Sequence, residues 1–114
     1  MNKKHSLRPL EHFTQIRFTQ KPCFGDMVDA VNDVAAKDPF FKRIWCFEGG
    51  IDLTSDELQR IAEYANTTLK APSVSALITT EDLSYGLLKI LEAHRDQEGH
   101  TIKVFRDRAS ALTW

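Results

Sequence analysis

The chain has 114 residues, of which 42% are apolar and 27% charged, and its formal net charge is −1. That length suits one domain with a core of its own, so we expect a single domain over residues 1–114. Basic residues form no stripe, which argues against nucleic acid as a partner. No apolar run approaches the ~20 residues of a membrane span. Because the polar start Met1-Asn2-Lys3-Lys4-His5 lacks a secretory core, we expect a cytoplasmic protein.

Cysteines and histidines show no metal-ligand spacing. Cys23 and Cys46 read as reduced thiols, and we expect neither a metal nor a cofactor. Cys46 alternates with two aromatic residues, which places it in the core. Cys23 precedes a helix start, a position that favours the reactive thiolate. An enzymatic alternative therefore depends on Cys23, with His12 or His100 approaching it in space.

The first half of the chain predicts two strands and two helices. Residues 11–19 form a strand, and the segment before Pro9 adds an edge strand. A helix over 25–37 follows, with an apolar stripe at Met27, Val28, Val31, Val34 and Ala35, and the dipeptide Asp38-Pro39 stops it. Residues 43–47 are a strand covered on both faces. Thr54 and Glu57 form a capping box for the second helix, and Leu53 can pack on Leu58 as a staple. The buried stripe of that helix is Leu58, Ile61, Ala62, Ala65 and Leu69.

The second half repeats the alternation. A strand over 74–79 leads into a helix over 81–97, which Thr79 caps with Asp82 as its reciprocal partner. One face of that helix carries Leu83, Leu87, Ile90, Leu91 and His94. Gly86 lies inside the helix at a cost of about 1 kcal/mol, which predicts close packing there. Gly99 is expected as the residue just past the helix end. A strand over 101–105 precedes a final helix, capped by Asp107, with Ala109, Ala111, Leu112 and Trp114.

Alternating strands and helices with short connections predict an α/β protein with a mostly parallel sheet. Ligands of such sheets usually sit beyond the carboxyl ends of the strands, here residues 21–25, 48–55, 79–82 and 106–108. We expect these residues to be mostly buried: Ile44, Trp45, Phe47, Val74, Ala76, Ile78, Leu87, Ile90, Leu91, Ile102 and Val104.

Few residues at this edge point to a particular chemistry. Gly49-Gly50 stands where a phosphate loop would stand, but the surrounding motif is absent and a plain turn is the simpler interpretation. The aspartates at helix starts are explained by capping and by the helix dipole. Thr54 and Ser55 are the candidate phosphoacceptor or partner-contact residues, because a helix start stabilises an added phosphate. The simpler alternative is that Thr54 is only a cap and Ser55 the first helical residue.

The C-terminal half resembles the STAS-like (SpoIIAA-like) family of small bacterial proteins. The resemblance is carried by the run from Thr79 to Ile90, with its Asp82-Leu83-Ser84-Tyr85-Gly86 helix start, and by Phe105-Arg106-Asp107 before Ala111-Leu112-Thr113-Trp114. The upstream run from Lys37 to Phe41 also fits, so the resemblance covers roughly residues 27–114. It implies a STAS-like α/β layered fold, with four or five strands and helices mainly on one face.

The resemblance also implies a function. Better-known relatives bind a partner protein and are switched by phosphorylation of a serine at a helix start, in an aspartate-serine-x-glycine context. The corresponding region here reads Asp52-Leu53-Thr54-Ser55-Asp56-Glu57, with no such glycine. We therefore expect a non-catalytic regulatory module that binds a protein. The alternative is a small-molecule or lipid binder with an apolar pocket between sheet and helices. Trp114 at the chain end is expected either to dock on its own domain or to form a homodimer contact.

Overall fold

The computed structural model describes residues 5–10, 12–37, 42–70, 72–96 and 99–114. These ranges contain five strands and four helices: two consecutive strands come first, and helices and strands then alternate. The strands are β1 (His5–Pro9), β2 (Thr14–Phe18), β3 (Lys42–Phe47), β4 (Ser73–Ile78) and β5 (His100–Phe105). The helices are α1 (Phe24–Lys37), α2 (Ser55–Thr68), α3 (Asp82–Arg95) and α4 (Arg108–Thr113). The predicted α/β class and the edge strand before Pro9 are confirmed.

The strands form one sheet in the order β1-β2-β3-β4-β5. Strand β1 is antiparallel to β2, and the other three pairs are parallel. Every crossover from β2 to β5 steps in the same direction, and crossovers are almost always right-handed, so α1, α2 and α3 fall on one face of the sheet. The strand order of this sheet never reverses, and it therefore lacks the crevice that a reversal opens in doubly wound folds.

Each face of the sheet has its own apolar core. The larger core joins α1, α2 and α3 to strand residues that include Ile16, Phe18, Trp45, Phe47 and Leu77. The smaller core lies on the other face, where Ala111 of α4 packs with Ile44, Ala76 and Ile78. Because strand side chains alternate between faces, β3 sends Trp45 to one core and Ile44 to the other.

Helix α2 matches its prediction closely. Thr54 and Glu57 form the capping box, and all five residues of the predicted stripe are buried. Leu53 and Leu58 lie in the same core. The cap of α4 is also as predicted, since Asp107 accepts the backbone N–H of Ser110 at 2.7 Å. In α1 the stripe is shifted, because Ala30 is buried and Ala35 is exposed.

Helix α3 presents a different face from the predicted one. Its buried residues are Ser84, Leu88, Leu91 and Arg95. Leu83 is 71% exposed, whereas Leu87 and Ile90 are only partly buried. The apolar pattern was misleading because two polar residues, Ser84 and Arg95, occupy inward positions. Of the other residues expected in the core, Val74 is also only partly buried.

Three predictions about the ends and glycines of α3 were wrong. The helix begins after Glu81, whose side chain accepts no backbone N–H of the first turn, and Thr79 Oγ1 instead accepts the N–H of Glu81 at 3.3 Å. A Cβ at Gly86 would meet nothing within 4 Å, so this glycine allows no close approach. The helix ends before Asp96, so Gly99, with φ +87°, belongs to the turn into β5. The predicted stop at Asp38-Pro39, the run through Phe41 and the end at residue 97 lie outside the described residues.

Candidate interaction surface at the carboxyl edge

The carboxyl ends of the parallel strands gather the four predicted loop segments. The N–H of Asp52 donates to Pro22 O at 3.1 Å, which joins the loops after β3 and β2. Lys21 Nζ lies 3.9 Å from Glu81 Oε2. Arg106 pairs with Asp82 and stacks over the ring of Tyr85 at 4.2 Å. The four segments therefore form one continuous edge, which we call the carboxyl edge.

The loop after β3 is a tight turn held against α3. The N–H of Gly50 donates to Phe47 O at 3.3 Å, and Gly50 has φ +87°. The next N–H, of Ile51, donates to the buried Ser84 Oγ at 3.0 Å. The Ser84 hydroxyl in turn donates to Glu81 Oε1 at 2.9 Å. The N–H of Ile51 therefore already has an acceptor within the protein, as expected for a plain turn rather than a phosphate-binding loop.

Thr54 and Ser55 lie at the exposed start of α2. Thr54 Oγ1 accepts the N–H of Glu57 at 3.1 Å, and Glu57 Oε1 accepts the N–H of Thr54 at 3.0 Å. The Thr54 hydroxyl thus serves as the cap. Ser55 is the first residue of α2 and is exposed. The buried Leu53 anchors the chain just before them.

A shallow cleft of about 190 Å³ opens where β3 and β4 end. Its lining is Cys46, Phe47, Glu48, Ile78, Thr79 and Thr80. Cys46, which was expected in the core, is only partly buried and packs against the smaller core. Its alternation with Trp45 was the signal that Cys46 points to the opposite face of the sheet.

The environment of Cys46 favours the thiol over the thiolate. Burial raises the pKa of Cys46, and the positive charges of Arg108 and Arg17 oppose that rise only in part. Arg17 also pairs with Glu48 at the cleft, and Arg108 reaches across the sheet to Gln15. A raised pKa leaves the sulfur protonated and weakly nucleophilic at neutral pH.

Cys23 lies at the carboxyl edge, exposed, and its backbone N–H donates to Asp26 Oδ2 at 2.9 Å. The two histidines of the enzymatic alternative lie at the other end of the parallel strands, since His12 precedes β2 and His100 begins β5. A five-residue strand spans about 17 Å, which separates these imidazoles from the Cys23 thiol.

The interior between the sheet and the three longer helices holds a cavity of about 30 Å³. Pockets for drug-sized ligands usually measure about 300–1,000 Å³, so this cavity has no room for a lipid chain. Its wall includes Ser75 and Arg95, two polar residues that no sequence pattern pointed to.

Within the described ranges, no three His, Cys, Asp or Glu side chains are grouped as a metal site. No helix of these ranges is long and apolar enough to cross a membrane. Comparison with known proteins adds no identity: no protein-family model, no curated protein and no solved structure matches this chain.

Proposed function

We propose that this protein is a non-catalytic, STAS-like interaction module that binds a partner protein through the carboxyl edge, at the start of α2. The fold is compatible with the proposal, because five mostly parallel strands with α1, α2 and α3 on one face agree with the arrangement that the resemblance implies. The motifs of the resemblance also have structural roles. Asp82 begins α3, Asp107 caps α4, and the Trp114 ring lies 5.5 Å from that of Phe105.

The observation that carries the proposal is the exposure of Ser55 at a hydrogen-bonded helix start. The Ile51–Ser84 hydrogen bond holds the preceding loop against α3, and the capping box fixes the helix start. A surface that is ordered before binding costs little entropy to immobilise. The exposed acids Asp52 and Asp56 flank the start of α2, so we expect the partner to present basic groups here.

Phosphorylation of Ser55 would change the charge of this edge. A phosphate at the first position of a helix is favoured by the dipole and opposed by neighbouring carboxylates. It would also add about two negative charges beside Asp52 and Asp56. We expect the modification to alter partner affinity without altering the fold, because Ser55 is exposed and the cap hydroxyl belongs to Thr54.

Site-specific photocrosslinking in the source cells tests the proposal. A photoreactive amino acid at Ser55 should capture one partner, and the same group at Ala109, exposed on α4, should not. With the partner purified, Ser55→Arg should weaken binding about tenfold or more, because it places a like charge against a basic surface. Ala109→Arg is the matched control and should leave the Kd within about twofold. Equal effects of the two arginines would contradict the proposal.

The alternative of a small-molecule or lipid binder has less support for a lipid than for a very small ligand. This alternative needs a pocket between the sheet and the helices. The cavity found there measures about 30 Å³, which is about tenfold smaller than a usual ligand pocket. Only a ligand of a few atoms fits there.

A further inference from the structure

Buried basic side chains meet at the amino ends of the parallel strands. Arg43 in β3, Arg95 at the end of α3 and His100 in β5 are 6%, 5% and 7% exposed. The strand register brings their neighbours together, since Arg43 pairs with Ser75 and Ser73 pairs with His100. We call Arg43, Arg95 and His100 the buried basic cluster.

The hydrogen-bond acceptor of the Arg95 side chain among the described residues is uncharged. Arg95 Nη1 donates to Asn66 Oδ1 on α2, and Asn66 Nδ2 donates to His94 O at 3.2 Å. The side-chain acceptor is thus a neutral amide, and no described carboxylate forms an ion pair with Arg95. Burial, and then the charge of Arg43, lower the pKa of Arg95 to about 10, so the guanidinium stays positive at neutral pH. A buried charge is costly unless an opposite charge balances it.

A space for that opposite charge lies beside Arg95. Both Arg95 and Ser75 line the 30 Å³ cavity, and Ser75 is 1% exposed. The Ser75 hydroxyl has no hydrogen-bond partner among the described residues. Buried hydroxyls are nearly always paired, so an unpaired one on a cavity wall indicates a missing acceptor or donor. The other lining residues are Met27, Val31, Trp45, Phe47, Ile61, Ala65, Leu69, Leu77, Leu91 and Ile102, all apolar.

We propose that this cavity binds a short carboxylate of the size of acetate, with its oxygens on Arg95 and Ser75 and its methyl group against the apolar wall. A guanidinium presents parallel N–H groups that match a carboxylate, and a spherical halide lacks that match. A cavity of about 30 Å³ suits a ligand of only a few atoms, so a short acid fits better than a long one. The apolar wall favours a methyl group over the strongly hydrated oxygens of phosphate or sulfate.

The proposal is independent of partner binding at the start of α2, because the two polar groups that it uses, on Arg95 and Ser75, belong to the last residue of α3 and to β4. Acetate is the probe, and the full chain is used. We expect sodium acetate to raise the Tm of the wild type saturably at constant pH, and sodium chloride of equal ionic strength to have no such effect. Saturation-transfer NMR should show contact between the acetate methyl group and the protein.

Two variants and a control locate the site. Arg95→Met should abolish both the rise in Tm and the NMR contact with acetate. Ser75→Ala should raise the acetate Kd about tenfold, because it removes one hydrogen bond to a charged group. Arg60→Met removes an exposed guanidinium on α2 and should respond like the wild type. If Arg95→Met does not fold, Ser75→Ala decides. If acetate changes neither the Tm nor the NMR signal of the wild type, the cavity binds only water and the proposal is overturned. An equal response to chloride, or an unchanged affinity in Ser75→Ala, also overturns it.

Discussion

The backbone N–H of Ile51 donates to the side-chain oxygen of Ser84 at 3.0 Å, across 33 residues of sequence. Both residues are buried, and the bond joins the turn after β3 to the first turn of α3. Beside it, a Cβ on Gly50 would lie 2.6 Å from the same Ser84 oxygen. At the carboxyl edge, the Ser84 hydroxyl therefore holds the turn after β3 against α3, and Gly50 leaves the space that this contact needs.

Replacing Ser84 with alanine tests this bond. Ser84→Ala leaves the buried N–H of Ile51 without an acceptor, so we expect the free energy of unfolding to fall by about 1–3 kcal/mol. Urea denaturation measures the change. Ser55→Ala, which changes an exposed serine on α2, is the matched control. Its free energy of unfolding should stay within about 0.5 kcal/mol of the wild-type value. A loss for Ser84→Ala no larger than that of the control would show that water replaces the hydroxyl.

Two glycines should respond in opposite directions to the same added methyl group. Gly50→Ala should lower the free energy of unfolding by more than about 1 kcal/mol, because its φ of +87° is unfavourable for alanine and its Cβ would collide with Ser84. Gly86→Ala should raise it by up to about 1 kcal/mol, because alanine favours a helix and nothing lies near its Cβ. Thermal denaturation of both variants measures the difference. A destabilised Gly86→Ala would restore the close packing first predicted from the sequence.

The orientation of α3 predicts which leucine matters most. Leu88 is completely buried, so Leu88→Ala should cost about 2–5 kcal/mol of unfolding free energy. Leu83→Ala removes a side chain that is 71% exposed and should change it by about 0.5 kcal/mol or less. Chemical denaturation of the two variants compares them directly. Similar losses would mean that the helix is rotated from the orientation described.

Stability should depend on the protonation of His100. Burial, and then the charges of Arg95 and Arg43, lower the pKa of His100 below its usual 6.5. The unfolded chain then binds a proton at a higher pH than the native protein does. The free energy of unfolding should consequently be greatest above about pH 6.5 and should fall as the pH decreases through the native pKa.

Denaturation at several pH values measures that slope. Ser73 Oγ lies 2.6 Å from His100 Nδ1, and asparagine retains a polar group near that position without titrating. His100→Asn should therefore lose the part of the slope that belongs to this residue. An NMR titration of the His100 ring that gave a pKa of 6.5 or above would refute the assignment.

The chain end should stabilise its own domain. Ala111 is buried and Trp114 contacts Phe105, although Leu112 and Trp114 remain 46% and 37% exposed. Deleting residues 112–114 should lower the Tm at every protein concentration and leave the mass by light scattering unchanged. Conversion of a dimer to a folded monomer would instead assign the tail to a homodimer interface, the second expectation from the sequence.

Sequence patterns were most accurate where a structure depends on neighbours in the chain. The Thr54–Glu57 capping box and the Asp107 cap are bonds between residues three positions apart, so their residue types suffice to predict them. The alternation of strands and helices, and hence the parallel sheet, follows from local periodicity in the same way. The candidate edge could be predicted too, because the carboxyl ends of parallel strands must meet.

Other features depend on contacts between distant segments, and only the tertiary structure determined them. Helix α3 buries the face that carries Ser84 and Arg95, because these polar side chains find hydrogen-bond partners inside the protein. A pattern of apolar residues does not show such partners. Gly50 is needed because Ser84 lies against it, and the two are 34 positions apart. The buried basic cluster combines residues of β3, α3 and β5 that share no sequence motif. Hydrophobic periodicity shows that a segment is buried, but only the packing of the sheet against its helices determines which polar groups are enclosed with it.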